Sequence, residues 1–433
     1  MHSLTLVGTE TEYGITCGGI DPAVASGWVI AELGAMLGTR HAEPDESLSF
    51  MAPTGARCYV DHAHPEYCTP ECDSVTEAVL AACVGDALMM QAAARASRVH
   101  GQPIVLFRNT TDGKGSSYGH HENYLVPRSF DYAGASATFA GFLASRIVFT
   151  GAGRLGIGRD GGEPGFQLSS RADFFERVTS LETTLRRGIV NTRDEPLAGP
   201  GWRRVHVIAG DANLSQWARW ATLATTQAAL RVLIDGTRPP APTDPVTAFH
   251  AWSHDPSLSR RVPCDDGVER TALELQRVWL SAASALGCEG VAEWRAVVDD
   301  LDLNTSRVAD RVDWVAKLRV IESVAARRGL APDAPELAAV DLQYGELSPR
   351  GLAALLTRSG ALRRLISEAD VQANLTAPLG SARARYRAGV LASAPDAVVA
   401  ANWDALLLRS PQTGELVPIR LPDPWSEGPD GHW

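Results

Sequence analysis

The chain has no uninterrupted apolar run of the ~18 residues that a membrane span requires. Its N-terminus lacks the charged, apolar and small-residue succession of a secretory leader, so the compartment expected is the cytoplasm. Positive charge is scarce: 40 Lys and Arg face 51 Asp and Glu, a net charge of −11. A general binder of phosphate backbones needs the opposite balance, so nucleic acid is excluded as an expected partner. Single arginines read instead as local anion sites. The seven cysteines (Cys17, Cys58, Cys68, Cys72, Cys83, Cys264 and Cys288) are odd in number and scattered, which describes no disulfide framework. Cys68 and Cys72 lie four apart, but no second pair with zinc spacing follows, and free thiols are expected. There is no Gly-x-x-x-x-Gly-Lys-Ser/Thr loop. Gly151-Ala-Gly-Arg-Leu-Gly156 spells a dinucleotide fingerprint after an apolar stretch, 145–150, that reads as a strand. The chain then continues in loop chemistry rather than a helix, so that site is excluded too. Internal repeats and low-complexity segments are absent.

What is present is a long, packable chain. With 433 residues and 45% hydrophobic content, a large domain plus a smaller one is expected, divided as 1–365 and 366–433. Residues 4–15 read as a strand ending at Gly14, and 37–53 as a loop. Residues 55–61 read as a strand, and a helix capped by Asp73 reaches about Val99. Residues 103–108 and 203–209 read as strands and Ser215 to Leu233 as a helix. Beyond Val268 helical patterns dominate, one running from a cap at Asp310 to Gly329. Arg383, Arg385 and Arg387 begin a basic helix.

Four segments carry polar groups where a core strand would carry Val, Ile and Leu. They are Gly8-Thr-Glu-Thr-Glu-Tyr-Gly14, Gly55-Ala-Arg-Cys-Tyr-Val-Asp61, Gly119-His-His-Glu-Asn-Tyr-Leu125 and Arg203-Arg-Val-His-Val-Ile-Ala209. Alternate strand residues share a face, so Glu10 pairs with Glu12, Arg57 aligns with Tyr59 and Asp61, His121 with Asn123, and Arg204 with His206. Such faces line a wet cleft. Glu10 and Glu12 are hard oxygen donors of the kind Mg²⁺ prefers, although an isolated Glu-x-Glu is more often a solvated face. Asp61-His-Ala-His-Pro-Glu66 supports two readings. His62 and His64 could be the His-x-His pair of a zinc amidohydrolase, but the helix-rich second half lacks the strand–helix alternation of that barrel. Otherwise Asp61 and Glu66 are central. Asp112-Gly-Lys-Gly-Ser-Ser is either a surface turn or a loop over phosphates. Arg193, in Asn191-Thr-Arg-Asp-Glu195, meets either an anionic ligand or a neighbouring acid.

Together these motifs, with His-Pro-Glu-Tyr, Ser-Tyr-Gly-x-His-Glu-Asn-Tyr-Leu, Asn-Thr-Arg-Asp-Glu-Pro and His-Val-Ile-x-Gly-Asp-Ala-Asn, resemble the family of the Pup ligase and the Pup deamidase/depupylase. Asp310 to Leu318 and Asp341-Leu-Gln-Tyr344 match as well, so the resemblance spans nearly the whole chain. It implies an α+β, glutamine-synthetase-like (carboxylate–amine ligase) fold: a curved antiparallel sheet packed with helices, plus a small C-terminal domain. It implies Pup, the prokaryotic ubiquitin-like protein, and pupylated proteins as partners, and ATP, or ADP plus phosphate, with Mg²⁺ as cofactors. By motif position Glu10, Tyr59 and Glu66 resemble magnesium ligands. Glu12, His121, Asn123 and His206 are further candidates for metal or nucleotide contact. Arg57, Thr69 and Trp403 resemble nucleotide contacts, Arg193 and Arg204 phosphate or carboxylate clamps, and Asp61 the catalytic aspartate.

Three details resemble the hydrolase branch: the junction Asp61-His-Ala-His-Pro-Glu without the extra residue typical of the ligase, Asp112-Gly-Lys-Gly-Ser-Ser, and Gly162-Glu-Pro-Gly-Phe-Gln-Leu-Ser-Ser. The expectation is therefore a depupylase, with deamidation of a C-terminal glutamine of Pup as a weaker companion reaction. The alternatives are the ATP-dependent ligase, a non-catalytic Pup-binding regulator and a small-molecule carboxylate–amine ligase. The chain departs from the depupylase pattern in its short 37–53 region and in Arg108-Asn-Thr-Thr, where Lys-Asn-Asn is more usual.

Overall fold

The computed structural model describes residues 6–39 and 48–428. In chain order the strands are β1 (Val7–Glu12), β2 (Gly14–Cys17), β3 (Ser49–Met51), β4 (Arg57–Asp61), β5 (His64–Cys68), β6 (Ile104–Phe107), β7 (His120–Pro127), β8 (Arg154–Ile157), β9 (Glu163–Gln167), β10 (Phe175–Ser180), β11 (Arg187–Asn191), β12 (Trp202–Val207), β13 (Val262–Pro263), β14 (Glu269–Arg270), β15 (Val398–Asn402), β16 (Ala405–Arg409) and β17 (Leu416–Arg420). The α-helices are α1 (Pro22–Leu37), α2 (Val75–His100), α3 (Tyr132–Ser145), α4 (Ile147–Thr150), α5 (Gln216–Ile234), α6 (Pro245–Ser253), α7 (Ala272–Ala285), α8 (Val291–Leu303), α9 (Asp313–Arg328), α10 (Pro335–Tyr344), α11 (Leu352–Arg358), α12 (Glu368–Ala373) and α13 (Ala382–Ser393).

Eight strands form the main sheet, in the order β10-β11-β12-β7-β1-β5-β4-β3. The sheet is mixed rather than wholly antiparallel, because β10 and β11 pair in parallel at one edge. Its two faces separate by the period of two. On β1, Thr9 and Thr11 turn toward the helices, and Thr11 Oγ1 lies 3.0 Å from His120 Nδ1. Glu10 and Glu12 take the other face. On β7, Glu122 and Tyr124 are buried on the helix side, where Tyr124 donates to Glu122 at 2.6 Å. Helices α1, α2 and α3 pack behind the sheet, and α5 packs against α2 and α3. The contact is close enough that a side chain on Gly85 of α2 would run into the Tyr67 ring.

Several expected elements are redrawn. Residues 4–15 do not form one strand: the chain breaks at Tyr13, which is fully buried and donates to Asp86 Oδ1 at 2.8 Å. After that anchor β2 leaves the main sheet and pairs with β6. Residues 145–150 are the end of α3 and the short α4, not a strand. The run Ile147–Thr150 is buried on every side, and such a run carries no period that distinguishes strand from helix. Buried Arg146 between the two helices is held by Glu122 at 2.5 Å. The fingerprint glycines therefore follow a helix and lead into β8. Ser74, not Asp73, caps α2, accepting the Glu77 N–H at 3.2 Å. Asp310 does not cap α9, since its carboxylate is taken by Arg311 and Arg363. The helix begins at Asp313, whose own carboxylate accepts the Leu214 and Ser215 N–H groups at the start of α5. In the expected 37–53 loop, Leu37 still belongs to α1 and residues 49–51 form β3, while 40–47 lie outside the described residues. All seven cysteines are free thiols.

Against the expectation from the sequence, α2 has the length and apolarity to cross a bilayer. However, 61% of its most apolar window is buried within the protein, and it carries Asp86, which pairs with Arg108 and Arg219. It is the central core helix. Toward the C-terminus, α12 packs on α2, and α13 leads into the three-stranded sheet β15-β16-β17. Leu406, Ile419 and Leu421 form a small apolar cluster there, against Tyr386 and Val390 of α13.

Candidate functional site

The polar face of the main sheet opens into a cleft of about 630 Å³. All thirteen residues to which the resemblance assigns a role line it. Glu10 and Glu12 come from β1; Arg57, Tyr59 and Asp61 from β4; Glu66 from β5; Thr69 from just beyond it. His121 and Asn123 come from β7, Arg204 and His206 from β12, Arg193 from the β11–β12 connection, and Trp403 from the β15–β16 turn. Strand register explains the convergence. Glu12 lies opposite Glu66, Tyr59 opposite Glu66, Glu10 opposite His121, and His206 opposite Asn123.

Two clusters emerge. Glu12, Asp61 and Glu66 bring carboxylate oxygens within 4.8 Å of one another. Burial and the nearby charges of Glu10 and Glu12 push the Glu66 carboxyl well above the usual range. Three carboxylates held this close repel one another, and a divalent cation is the partner that relieves the repulsion. An all-oxygen set suits a hard cation such as Mg²⁺. Tyr59 shares a hydrogen bond with Glu66, and burial beside Cys68, Glu66 and Glu10 keeps its phenol protonated.

The second cluster is Glu10, His121 and His206, again within 4.8 Å. Glu10 Oε2 lies 3.0 Å from His121 Nδ1, and Glu10 Oε1 accepts from Asn123 Nδ2 at 2.9 Å. Burial pushes the Glu10 carboxyl upward, but the His121 hydrogen bond and the charges of His206, His121 and Arg204 outweigh it and hold it far below the usual range. His206 is driven down to about 3, by burial first and by His121 and Arg204 against the opposing pull of Glu10. It is therefore neutral near pH 7. Its Nδ1 faces Asn123 Oδ1 at 2.8 Å, which makes Nδ1 the protonated nitrogen and leaves the Nε2 lone pair available to a ligand.

The cation-rich wall is Arg204 and Arg193. Arg204 lies 3.6 Å from Glu195 and 3.5 Å from Asn123 Oδ1, and its buried Nε has no hydrogen-bond partner. That orphaned donor in a cleft suits an anionic ligand. Arg193 is exposed at the mouth. Arg57 donates to Ser49 at 3.2 Å and lies over the Tyr59 ring. The Thr69 hydroxyl accepts the Thr9 N–H at 2.9 Å. Of the undecided motifs, residues 112–117 do not line the cleft, and neither do His62 and His64. Arg108 is buried behind the sheet on Asp86 at 2.6 Å.

Sequence reasoning missed the clasp that brings Trp403 to this cleft. Part-buried Glu71 receives Arg383 at 2.8 Å and Arg387 at 2.9 Å, and Arg387 also donates to the Trp403 carbonyl at 2.6 Å and lies under its ring. The signal was present in Arg383 and Arg387, four apart on one helix face. Against the push of burial, the two arginines hold Glu71 down to about 2. An ordinary glutamate titrates near 4.5, so the clasp contributes roughly 3 kcal/mol at most. Because the folded value is depressed, that contribution is full above about pH 4.5 and is lost as pH falls toward 2. Glu71→Gln is therefore expected to unfold at a lower temperature than the wild type at pH 7, with the gap narrowing steadily on acidification. Thermal unfolding at pH 7, 4 and 3 measures it.

Comparison with known proteins agrees with this geometry. The Pup-ligase protein family matches residues 5–407. The Pup deamidase/depupylase of Mycolicibacterium smegmatis is 42% identical over 367 residues, covering 82% of this chain and 74% of that protein. The depupylase of Acidothermus cellulolyticus is 42% identical over 387 residues, covering 86% and 77%. The Pup–protein ligase of Micrococcus luteus is 36% identical over 430 residues, covering 93% and 92%. Among solved structures, the ligase PafA in its complex with Pup superposes with a TM-score of 0.87 at 28% identity, over 98% of this chain and 90% of that one. PafA with ADP gives 0.80 at 30%, over 88% of each chain. The fold is thus the glutamine-synthetase-like ligase fold that the motifs implied, and the chain belongs to the Pup-ligase protein family.

Proposed function

We propose that this protein is a depupylase, which hydrolyses the isopeptide bond between the C-terminal residue of Pup and a substrate lysine, with a bound Mg²⁺–nucleotide as cofactor. The observation that carries the reading is the position of Asp61. It ends β4 in the cleft, beside Glu12 and Glu66, at a turn of only two residues, His62 and Ala63, before β5. That short turn is the structural form of the junction that resembles the hydrolase branch. The higher identity to the depupylases, 42% against 36%, points the same way.

The donor chemistry fits the cofactor. Mg²⁺ would be held by Glu10, Glu12 and Glu66, with the neutral Tyr59 oxygen, His121 and His206 as further candidate donors, and it would supply charge neutralisation for nucleotide phosphates. Arg57, Thr69, Asn123 and Trp403 would contact the nucleotide. Arg193 and Arg204 would hold phosphate or the carboxylate of the terminal Pup residue. Asp61 supplies the reactive carboxylate at the γ-carbonyl, as nucleophile or as base for a water. Amide hydrolysis runs downhill, so the nucleotide is retained rather than consumed. Deamidation of a C-terminal glutamine of Pup would use the same attack, with ammonia leaving in place of lysine.

The ligase is the second reading, favoured by the near-complete coverage of the Micrococcus luteus ligase and the superposition on PafA. A gel assay separates them. Purified protein with Mg²⁺ and ADP is expected to convert a Pup–protein conjugate to free Pup. Conjugate formation from Pup ending in glutamate, ATP and a lysine-bearing protein, without conjugate loss, would establish the ligase instead.

A further inference from the structure

We propose that His62 is a positioning residue for Asp61, an inference that rests on the depupylase reading. His62 is one of four non-glycine residues with positive φ among the described residues, at 51°. Left-handed backbone is uncommon outside glycine, although histidine tolerates it better than most side chains, and here the surroundings favour it. The carbonyl of Ala63, the next residue, accepts a hydrogen bond from the fully buried Ser26 hydroxyl of α1 at 2.8 Å. His64 then fixes the far side: its Nδ1 lies 3.0 Å from the Tyr13 carbonyl and its ring stacks on Tyr118 at 4.2 Å. The turn is pinned on two sides, and His62 takes the left-handed conformation between them.

The two histidines of this turn therefore have different fates. The His64 ring is absorbed in packing. The His62 ring is mostly exposed, and its Nδ1 stands 3.2 Å from Asp61 Oδ1. An exposed histidine beside a neighbouring acid is common on protein surfaces. What sets this one apart is that the acid sits in the cleft next to Glu12 and Glu66, while the turn that carries the histidine is pinned by Ser26 and His64. At this distance His62 biases the Asp61 carboxylate toward one orientation, which favours the other oxygen facing the reacting carbonyl.

Three substitutions separate backbone from side chain. His62→Gly accepts the turn but has no donor. His62→Asn accepts the turn and keeps an N–H donor. His62→Ala has neither. With a Pup conjugate, Mg²⁺ and ADP, kcat is expected to fall about tenfold or more in the glycine and alanine variants, with KM within about twofold. His62→Asn is expected to return to within about threefold of the wild type. Thermal unfolding of His62→Gly is expected at or above the wild-type temperature, which keeps folding out of the result. Wild-type kcat in His62→Gly, or equal losses in the glycine and asparagine variants, would overturn the proposal. A wild-type protein that cleaves no conjugate would overturn the depupylase reading itself, and the role of His62 with it.

Discussion

Asp61→Asn is expected to cut conjugate cleavage by about a thousandfold, within the range that a positioned acid–base or nucleophilic carboxylate contributes. The change is almost isosteric, so it removes negative charge and basicity while leaving β4 and its turn in place. Both roles open to Asp61 need that charge, so the loss does not depend on which is correct. Nucleotide affinity is expected to fall far less than turnover, because Arg57, Thr69, Asn123 and Trp403 are untouched and Glu10, Glu12 and Glu66 remain for the cation. Released Pup, followed over time alongside a nucleotide titration, reads both quantities. Full cleavage by Asp61→Asn would remove Asp61 from the mechanism.

The second large effect concerns Glu66. In the protein without a cation, Glu66 is crowded by burial, Glu10 and Glu12, and its carboxyl is pushed well above the usual range. A raised acid binds more protons folded than unfolded, so its effect on stability worsens as pH rises above its ordinary value. Glu66→Gln removes that burden. The variant is expected to melt higher than the wild type at pH 7.5 in EDTA, with a flatter dependence on pH. With Mg²⁺ and ADP present the order is expected to reverse. The wild type gains stability by binding, whereas the variant has lost an anionic ligand and gains about 2 kcal/mol less, a deficit that mass action assigns to roughly thirtyfold weaker binding. A structural role alone predicts loss under both conditions, so the crossing of the two curves is the informative result. Thermal unfolding with and without Mg²⁺–ADP measures it.

The site was legible in the sequence for a physical reason. A strand repeats every two residues, so Glu10 and Glu12, Arg57, Tyr59 and Asp61, or Arg204 and His206, must share a face wherever the strand goes. Polar groups in such a row had to face water or a ligand. The strand order was a different matter: nothing in β7 or β12 says that β7 pairs with β1 and β12 with β7, and the resemblance rather than the spacing brought them together. Local signals failed where tertiary contacts decide. Ile147–Thr150 is apolar enough for a strand, and Arg146, locked on Glu122, belongs to a helical turn that no local pattern reveals. Asp310 looked like a cap until Arg311 and Arg363 claimed it. The Glu71 clasp joins residues more than 300 positions apart, so only the spacing of its arginines could be read in advance. The parallel pairing of β10 with β11 has no local signature at all.

In the proposed mechanism, separated carboxylates converge to grip a divalent cation next to Asp61. The most direct measurement is anomalous diffraction from crystals grown with Mn²⁺ and ADP, Mn²⁺ standing in for Mg²⁺. A strong Mn²⁺ peak is expected in the cleft, bonded to oxygens of Glu10 and Glu66 at about 2.0–2.3 Å, with the nucleotide beside it and within reach of Trp403. Mn²⁺ bound elsewhere, or ADP bound in the cleft with no cation near these carboxylates, would contradict it.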